Sequence, residues 1–89
     1  MGSDLPAWRL TFTAPARRDL RRLDPPIARR VLGALENVAA DPDRAQLRQL
    51  VNRPEQRLRV GDWRVLLELD RDNREIIVHH VFPRGRAYD

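Results

Sequence analysis

From Gln56 to Arg64 the chain reads Gln-Arg-Leu-Arg-Val-Gly-Asp-Trp-Arg, and this alternation limits the possible folds more than any other stretch. Successive side chains of a strand point to opposite faces, so Arg57 and Arg59 share one face while Leu58 and Val60 share the other. Gly61-Asp62 is a short turn signal, and the apolar run Trp63 to Leu69 behind it reads as the returning antiparallel strand. One face of such a sheet must be buried. The other aims guanidinium groups outward, an arrangement suited to a polyanion and to phosphate chemistry.

The rest of the pattern supplies what the apolar face needs. Trp8 to Thr13 alternates apolar and polar residues and predicts an opening strand. Thr13 is placed to cap a helix that tolerates Pro15 in its first turn, with Ala16, Leu20 and Leu23 on one side and Arg17, Arg18, Arg21 and Arg22 toward solvent. Asp24 before Pro25 and Pro26 ends that helix and caps a longer one, whose stripe is Ile27, Val31, Leu35 and Val38, and Asp41-Pro42 stops it. The two helices form an antiparallel hairpin. Asp43 to Glu55 is polar with Leu47, Leu50 and Val51 scattered, a partly anchored loop with room for a helical turn. After Asp70 to Arg74, a second turn-rich separator, Glu75 to Phe82 predicts the last strand of a meander. The expected class is α+β, with a two-helix hairpin on one face of a mainly antiparallel four-stranded sheet. Residues 7–89 are expected to form one domain, and residues 1–6 a disordered tail or expression remnant.

Composition narrows the function classes. Eighty-nine residues with 42% hydrophobic and 34% charged content suit one small globule rather than a disordered chain. No apolar run approaches the roughly 20 residues of a spanning helix, and the absence of cysteine excludes disulfides and thiolate metal sites and fits a cytoplasmic protein. The net charge is +4, and all 17 basic residues are arginine. A GC-rich genome accounts for missing lysine as well as phosphate binding does, so the placement of the arginines is informative and their number is not. Four glycines leave no room for a Gly-rich phosphate loop. Ser3 and the threonines have no His/Asp context for nucleophilic catalysis.

The segment Gln56 to Val65, followed by an apolar strand and Arg84-x-Arg86-x-Tyr88, resembles the RelE/ParE superfamily of bacterial type II toxins. The Arg-Asp-Leu-x-x-Leu run at Arg18 to Leu23 and the order of elements agree with it, and the resemblance spans Trp8 to Tyr88. It implies a cytoplasmic RelE-like toxin silenced by a cognate antitoxin that wraps it in a hetero-oligomeric complex. In the RelE branch the toxin enters the ribosomal A site, against 16S and 23S ribosomal RNA, and cleaves mRNA as an endoribonuclease. In the ParE branch it poisons DNA gyrase and catalyses nothing. A shared fold does not separate the two.

The RelE-type reaction uses neither metal nor cofactor: the ribose 2′-OH attacks the adjacent phosphate and expels the 5′-oxygen. It needs a base, positive charge on the phosphorane and a proton for the leaving group. The resemblance assigns Arg59, Arg64 and Arg84 to the scissile phosphate and Tyr88 as the catalytic hydroxyl, with Arg57 and Arg86 as substrate-binding groups; strand parity, not the resemblance, adds His80 as a further substrate-side group that titrates near neutrality. A phenol of ordinary pKa about 10 needs flanking cations to act as a base near neutrality. Many relatives carry Gly-His-Arg or Gly-Lys-Arg where this chain has Phe82-Pro83-Arg84, so position 83 supplies no acid, base or cation here. The bland readings stand beside these. Arg57, Arg59 and Arg64 would also serve as a solvated sheet face paired with Glu68 and Asp62. His79 and His80 point to opposite faces, which disfavours a shared metal; if Ile77 and Val81 face the helices, His79 is a packed core residue and His80 lies with the arginines. The helical arginines, Arg29 and Arg30 included, read as solvated surface or a nonspecific grip on RNA, and Trp63 and Phe82 as core or antitoxin groove.

Overall fold

The computed structural model describes residues 7–85. Strand β1 (Arg9–Phe12) leads into helix α1 (Ala14–Arg21) and helix α2 (Pro25–Ala40); a single 3-10 turn (Pro42–Arg44) precedes β2 (Leu47–Gln49), β3 (Gln56–Val60), β4 (Trp63–Asp70) and β5 (Glu75–Pro83). The sheet order is β1-β5-β4-β3-β2, with β1 parallel to β5 and every other pair antiparallel.

Local chemistry explains these boundaries. The Thr13 hydroxyl accepts from Ala16 N–H at 3.2 Å and donates to the His79 carbonyl at 3.1 Å, so one side chain caps α1 and ties it to β5. Asp24 occupies the N-cap of α2 through its carbonyl, which accepts from Ala28 N–H at 2.9 Å; its carboxylate makes no capping bond. Gly61 turns the β3-β4 hairpin at φ 58°, a left-handed conformation that a side chain disfavours.

The core lies between the helices and one face of the sheet. Ala16 of α1 and Val31, Leu35, Val38 and Ala39 of α2 pack against Leu58, Val60, Val65, Leu67, Ile76, Val78 and Val81. The alternation at Arg57 to Val60 is thereby satisfied: Leu58 and Val60 enter this core and Arg59 is exposed.

Two expectations are corrected. The sheet has five strands rather than four, because Leu47–Gln49 of the supposed loop pairs with β3, Leu47 opposite Leu58 and Gln49 opposite Gln56. Three residues without a β-branched member leave little periodic signal. Tertiary contacts define the strand instead: Leu47 packs on the core, and Gln56 Nε2 donates to Gln49 Oε1 at 2.8 Å. The second correction concerns β5. A β-bulge between Leu66 and Leu67 places Leu66 opposite His80 and Leu67 opposite Val78, so Ile76, Val78 and Val81 face the helices and Ile77 does not. His79 is therefore no core histidine; its Nε2 lies 3.1 Å from Glu68 Oε1, both side chains part-exposed.

Candidate functional site

The sheet face opposite the helices gathers arginines from three adjacent strands. Arg48 of β2 lies directly across from Arg57 of β3, and Arg59 of β3 directly across from Arg64 of β4. Directly opposed residues on antiparallel strands have Cβ atoms about 5 Å apart, so four guanidinium groups share one small area. They line a cavity of about 310 Å³ whose fifth lining residue is Gln46. Among the described residues no carboxylate borders it. None of these four arginines makes an ion pair among the described residues, and the two carboxylates expected as their partners are engaged elsewhere: Glu68 with His79, and Asp62 with Arg84 at 3.9 Å. Like charges this close repel, and an anion bound among them relieves that repulsion.

Arg64 is aimed by the backbone. Its Nη1 donates to the carbonyls of Gly61 at 3.0 Å and Trp63 at 2.9 Å, which folds the side chain over the hairpin turn. Behind the turn, Arg30 of α2 sets its Nη2 2.9 Å from the place a Cβ on Gly61 would take. No side chain fits there without displacing Arg30.

The other expected site residues are distributed differently. Arg84 follows β5 beside the same turn, its N–H on the Asp62 carbonyl at 2.7 Å, and it does not line the arginine cavity. Its contact with Asp62 joins side chains 69% and 88% exposed, a screened pair that leaves the guanidinium accessible. His80 lies in the row of Arg48, Arg57 and Leu66, but its Nδ1 sits 3.3 Å from Asp19 Oδ2 on α1, the oxygen that also accepts from Val81 N–H at 2.9 Å. The bulge turns His80 toward the helix and away from the cavity. Arg86 and Tyr88 lie outside the described residues, as does the tail assigned to residues 1–6.

Residues 10–88 match the family described as ParE toxin of type II toxin-antitoxin system, parDE. The chain belongs to this toxin family. No curated protein gives a significant match. Among solved structures, the toxin resembles the RelBE2 toxin-antitoxin complex from Mycobacterium tuberculosis, with a TM-score of 0.80 at 24% identity, covering 97% of this chain and 100% of that one. It resembles equally the archaeal RelE-RelB complex from Pyrococcus horikoshii OT3 (TM-score 0.76, 23% identity, 92% and 100% covered) and the isolated E. coli RelE toxin (TM-score 0.78, 16% identity, 91% and 88% covered). Family and fold agree: this is a type II toxin with the RelE/ParE architecture. Among the described residues no helix is long and apolar enough to cross a membrane.

Sequence reasoning missed two residues of the toxin's cavity, Arg48 and Gln46, because it read their segment as a loop. A signal was present. Asn52 and Pro54 are turn formers directly ahead of a strong strand, and in the structure Asn52 takes a positive φ of 58° there. A turn leading into a strand implies a partner strand before it, which would have put Leu47 inward and Arg48 outward.

Chemically, the cavity can neutralise a phosphate and hold it bidentately, but it cannot move a proton, since guanidinium groups stay protonated at any physiological pH. Glu55, the residue before β3, is committed to a local contact. A hydrogen bond from its own backbone N–H, followed by Arg53 at 3.1 Å, holds the Glu55 carboxyl below the usual range for a glutamate.

Proposed function

We propose that this toxin is a ribosome-dependent, metal-independent mRNA endoribonuclease that inhibits translation and is neutralised by a cognate antitoxin in the cytoplasm. The supporting observation is the arginine cavity free of carboxylates, a surface that a phosphodiester fits and a protein-only contact does not require. Arg59 and Arg64, with Arg57 and Arg48 beside them, bind the scissile phosphate and stabilise the charge of the phosphorane formed by 2′-OH attack. Arg84, exposed beside the β3-β4 turn at the end of β5, is a further cation for the RNA strand outside the cavity. Proton transfer falls to Tyr88 or to the ribosome. A protein that supplies charge without a strong base is expected to depend on the ribosome to position the 2′-OH. The RelBE and RelE-RelB structures it resembles are complexes with antitoxins, which supports an antitoxin as partner.

A second reading, a gyrase poison without catalysis, is favoured by the family match itself. One experiment separates them. Wild type and Arg64→Ala are induced in cells, mRNA 5′ ends are mapped, and plasmid supercoiling by gyrase is assayed in parallel. Fragmented messages, reduced about 100-fold by Arg64→Ala, with normal supercoiling support the nuclease; intact messages with blocked supercoiling select the gyrase reading.

A further inference from the structure

We infer that a slot walled by Trp63, between the end of α1 and the adjoining ends of β4 and β5, is a stacking site for one nucleobase of the RNA strand whose backbone lies in the arginine cavity. This rests on the cavity being an RNA site, the reading proposed above. Asp19, Arg22, Leu23, Trp63, Val81 and Pro83 enclose a space of about 140 Å³. That is below the roughly 300–1,000 Å³ of sites for whole small molecules, and it suits a single ring system better than a complete nucleotide.

Slot and cavity are neighbours through the hairpin. Trp63 lines the slot and Arg64, the next residue, lines the cavity, so the two sites lie on opposite faces of the start of β4. Trp63 is paired with Pro83 across the strands, and Arg84 follows Pro83, 69% exposed beside the turn. Two walls of the slot are thus each followed in the chain by an arginine. A strand leaving the cavity over the Gly61-Asp62 turn meets Arg64 and Arg84 with its phosphates, and a base reaches Trp63.

The lining favours a base over a phosphate. Arg22 is the one cation among the six lining residues and the Asp19 carboxylate offsets its charge, whereas the cavity has four arginines and no carboxylate. Asp19 is held in place, its Oδ2 accepting from Val81 N–H at 2.9 Å with His80 Nδ1 at 3.3 Å. The other four lining residues are apolar. Trp63 is half-buried, packs against the core, and accepts from Arg64 Nη1 at its carbonyl at 2.9 Å. An indole held this way loses little freedom on binding, and base–aromatic stacking with an arginine alongside is a common means of gripping single strands. Every base has a π-face, so the site accepts any sequence.

The test follows the emission of Trp63 in a Trp8→Phe background, since Trp8 is the one other tryptophan and lies beside Arg71 and Arg74, past the far end of β4. The probes are a short RNA made uncleavable by 2′-O-methyl groups and an abasic strand with the same backbone, and the anisotropy of an end label reports binding separately. The base-bearing strand is expected to quench Trp63 and the bound abasic strand to leave its emission unchanged. Trp63→Leu, which keeps an apolar wall, is expected to weaken the base-bearing strand about fivefold or more, the low end of one base–aromatic stack, and the abasic strand by less than about twofold. That pattern supports the site. Binding without quenching, equal quenching by both strands, or a Trp63→Leu loss equal for both overturns it while leaving the cavity as an RNA site. Failure of either strand to bind overturns the RNA reading and the slot with it. If circular dichroism shows that Trp63→Leu does not fold, the quenching in the folded Trp8→Phe background decides alone.

Discussion

Removing Arg48 measures how many guanidinium groups a single-stranded RNA meets on the sheet face. Four arginines line the cavity without ion-paired partners, so up to four phosphates are neutralised when a strand crosses it. Each neutralised phosphate of a single strand contributes about 0.7 to the slope of log K against log salt, giving about 2.8 for wild type and about 2.1 for Arg48→Ala. Raising the salt fourfold then weakens wild type by about 4 to the power 2.8, roughly 50-fold, and the variant by roughly 20-fold. Fluorescence anisotropy with an uncleavable labelled RNA, titrated at about 50 mM and 200 mM salt, separates these slopes. Arg71→Ala is the matched control. Arg71 sits at the other end of β4, paired with Asp43 at 3.0 Å and stacked 5.8 Å from the Trp8 ring centre, so its loss should leave the slope unchanged. Equal slopes for wild type and Arg48→Ala, or an equal drop in Arg71→Ala, would refute the claim that the cavity arginines act together on one strand.

Two further perturbations probe the scaffold beneath the site. Gly61→Ala forces a side chain into a left-handed turn position and against Arg30, at about 1–2 kcal/mol for the backbone alone; a melting temperature lower by roughly 4–16 °C is expected by circular dichroism, and adding Arg30→Ala should recover only part of it. Thr13→Ala removes both the cap of α1 and the bond to the His79 carbonyl, so urea unfolding should show a loss of about 1–2 kcal/mol, whereas Thr13→Ser should retain most of the stability.

The parts of this molecule legible from its residues are those with a long repeating signal. The stripe Ile27, Val31, Leu35 and Val38 announced α2, and three of its four members are fully buried. The alternation at Arg57 to Val60 announced a two-faced strand, and the hairpin at Gly61-Asp62 followed from turn chemistry. Arg57, Arg59 and Arg64 could be grouped on that basis, since strand parity and one antiparallel turn determine which face each occupies. Strand β2 was not legible from periodicity, since three residues carry too little of it; the turn formers Asn52 and Pro54 ahead of β3 were its one local signal.

His80 shows the other kind of limit. Parity counting along Glu75 to Phe82 puts His79 and His80 on opposite faces, and it fails where one extra residue enters the strand. The bulge opposite Leu66 arises in the packing of β5 against both β4 and α1, where Asp19 takes up the Val81 N–H. Nothing within β5 announces it.

Local sequence therefore determined the elements, their inward faces and the cationic character of one sheet surface, all of which follow from side-chain periodicity and turn preference within a few residues. Only the tertiary structure decided which charges meet. Arg48 and Gln46 reach the cavity through pairing with a strand several residues farther along, His80 is drawn to a helix 61 residues earlier, and Arg84 stops beside the turn. Convergence depends on long-range register, a property of the packed sheet rather than of any one segment.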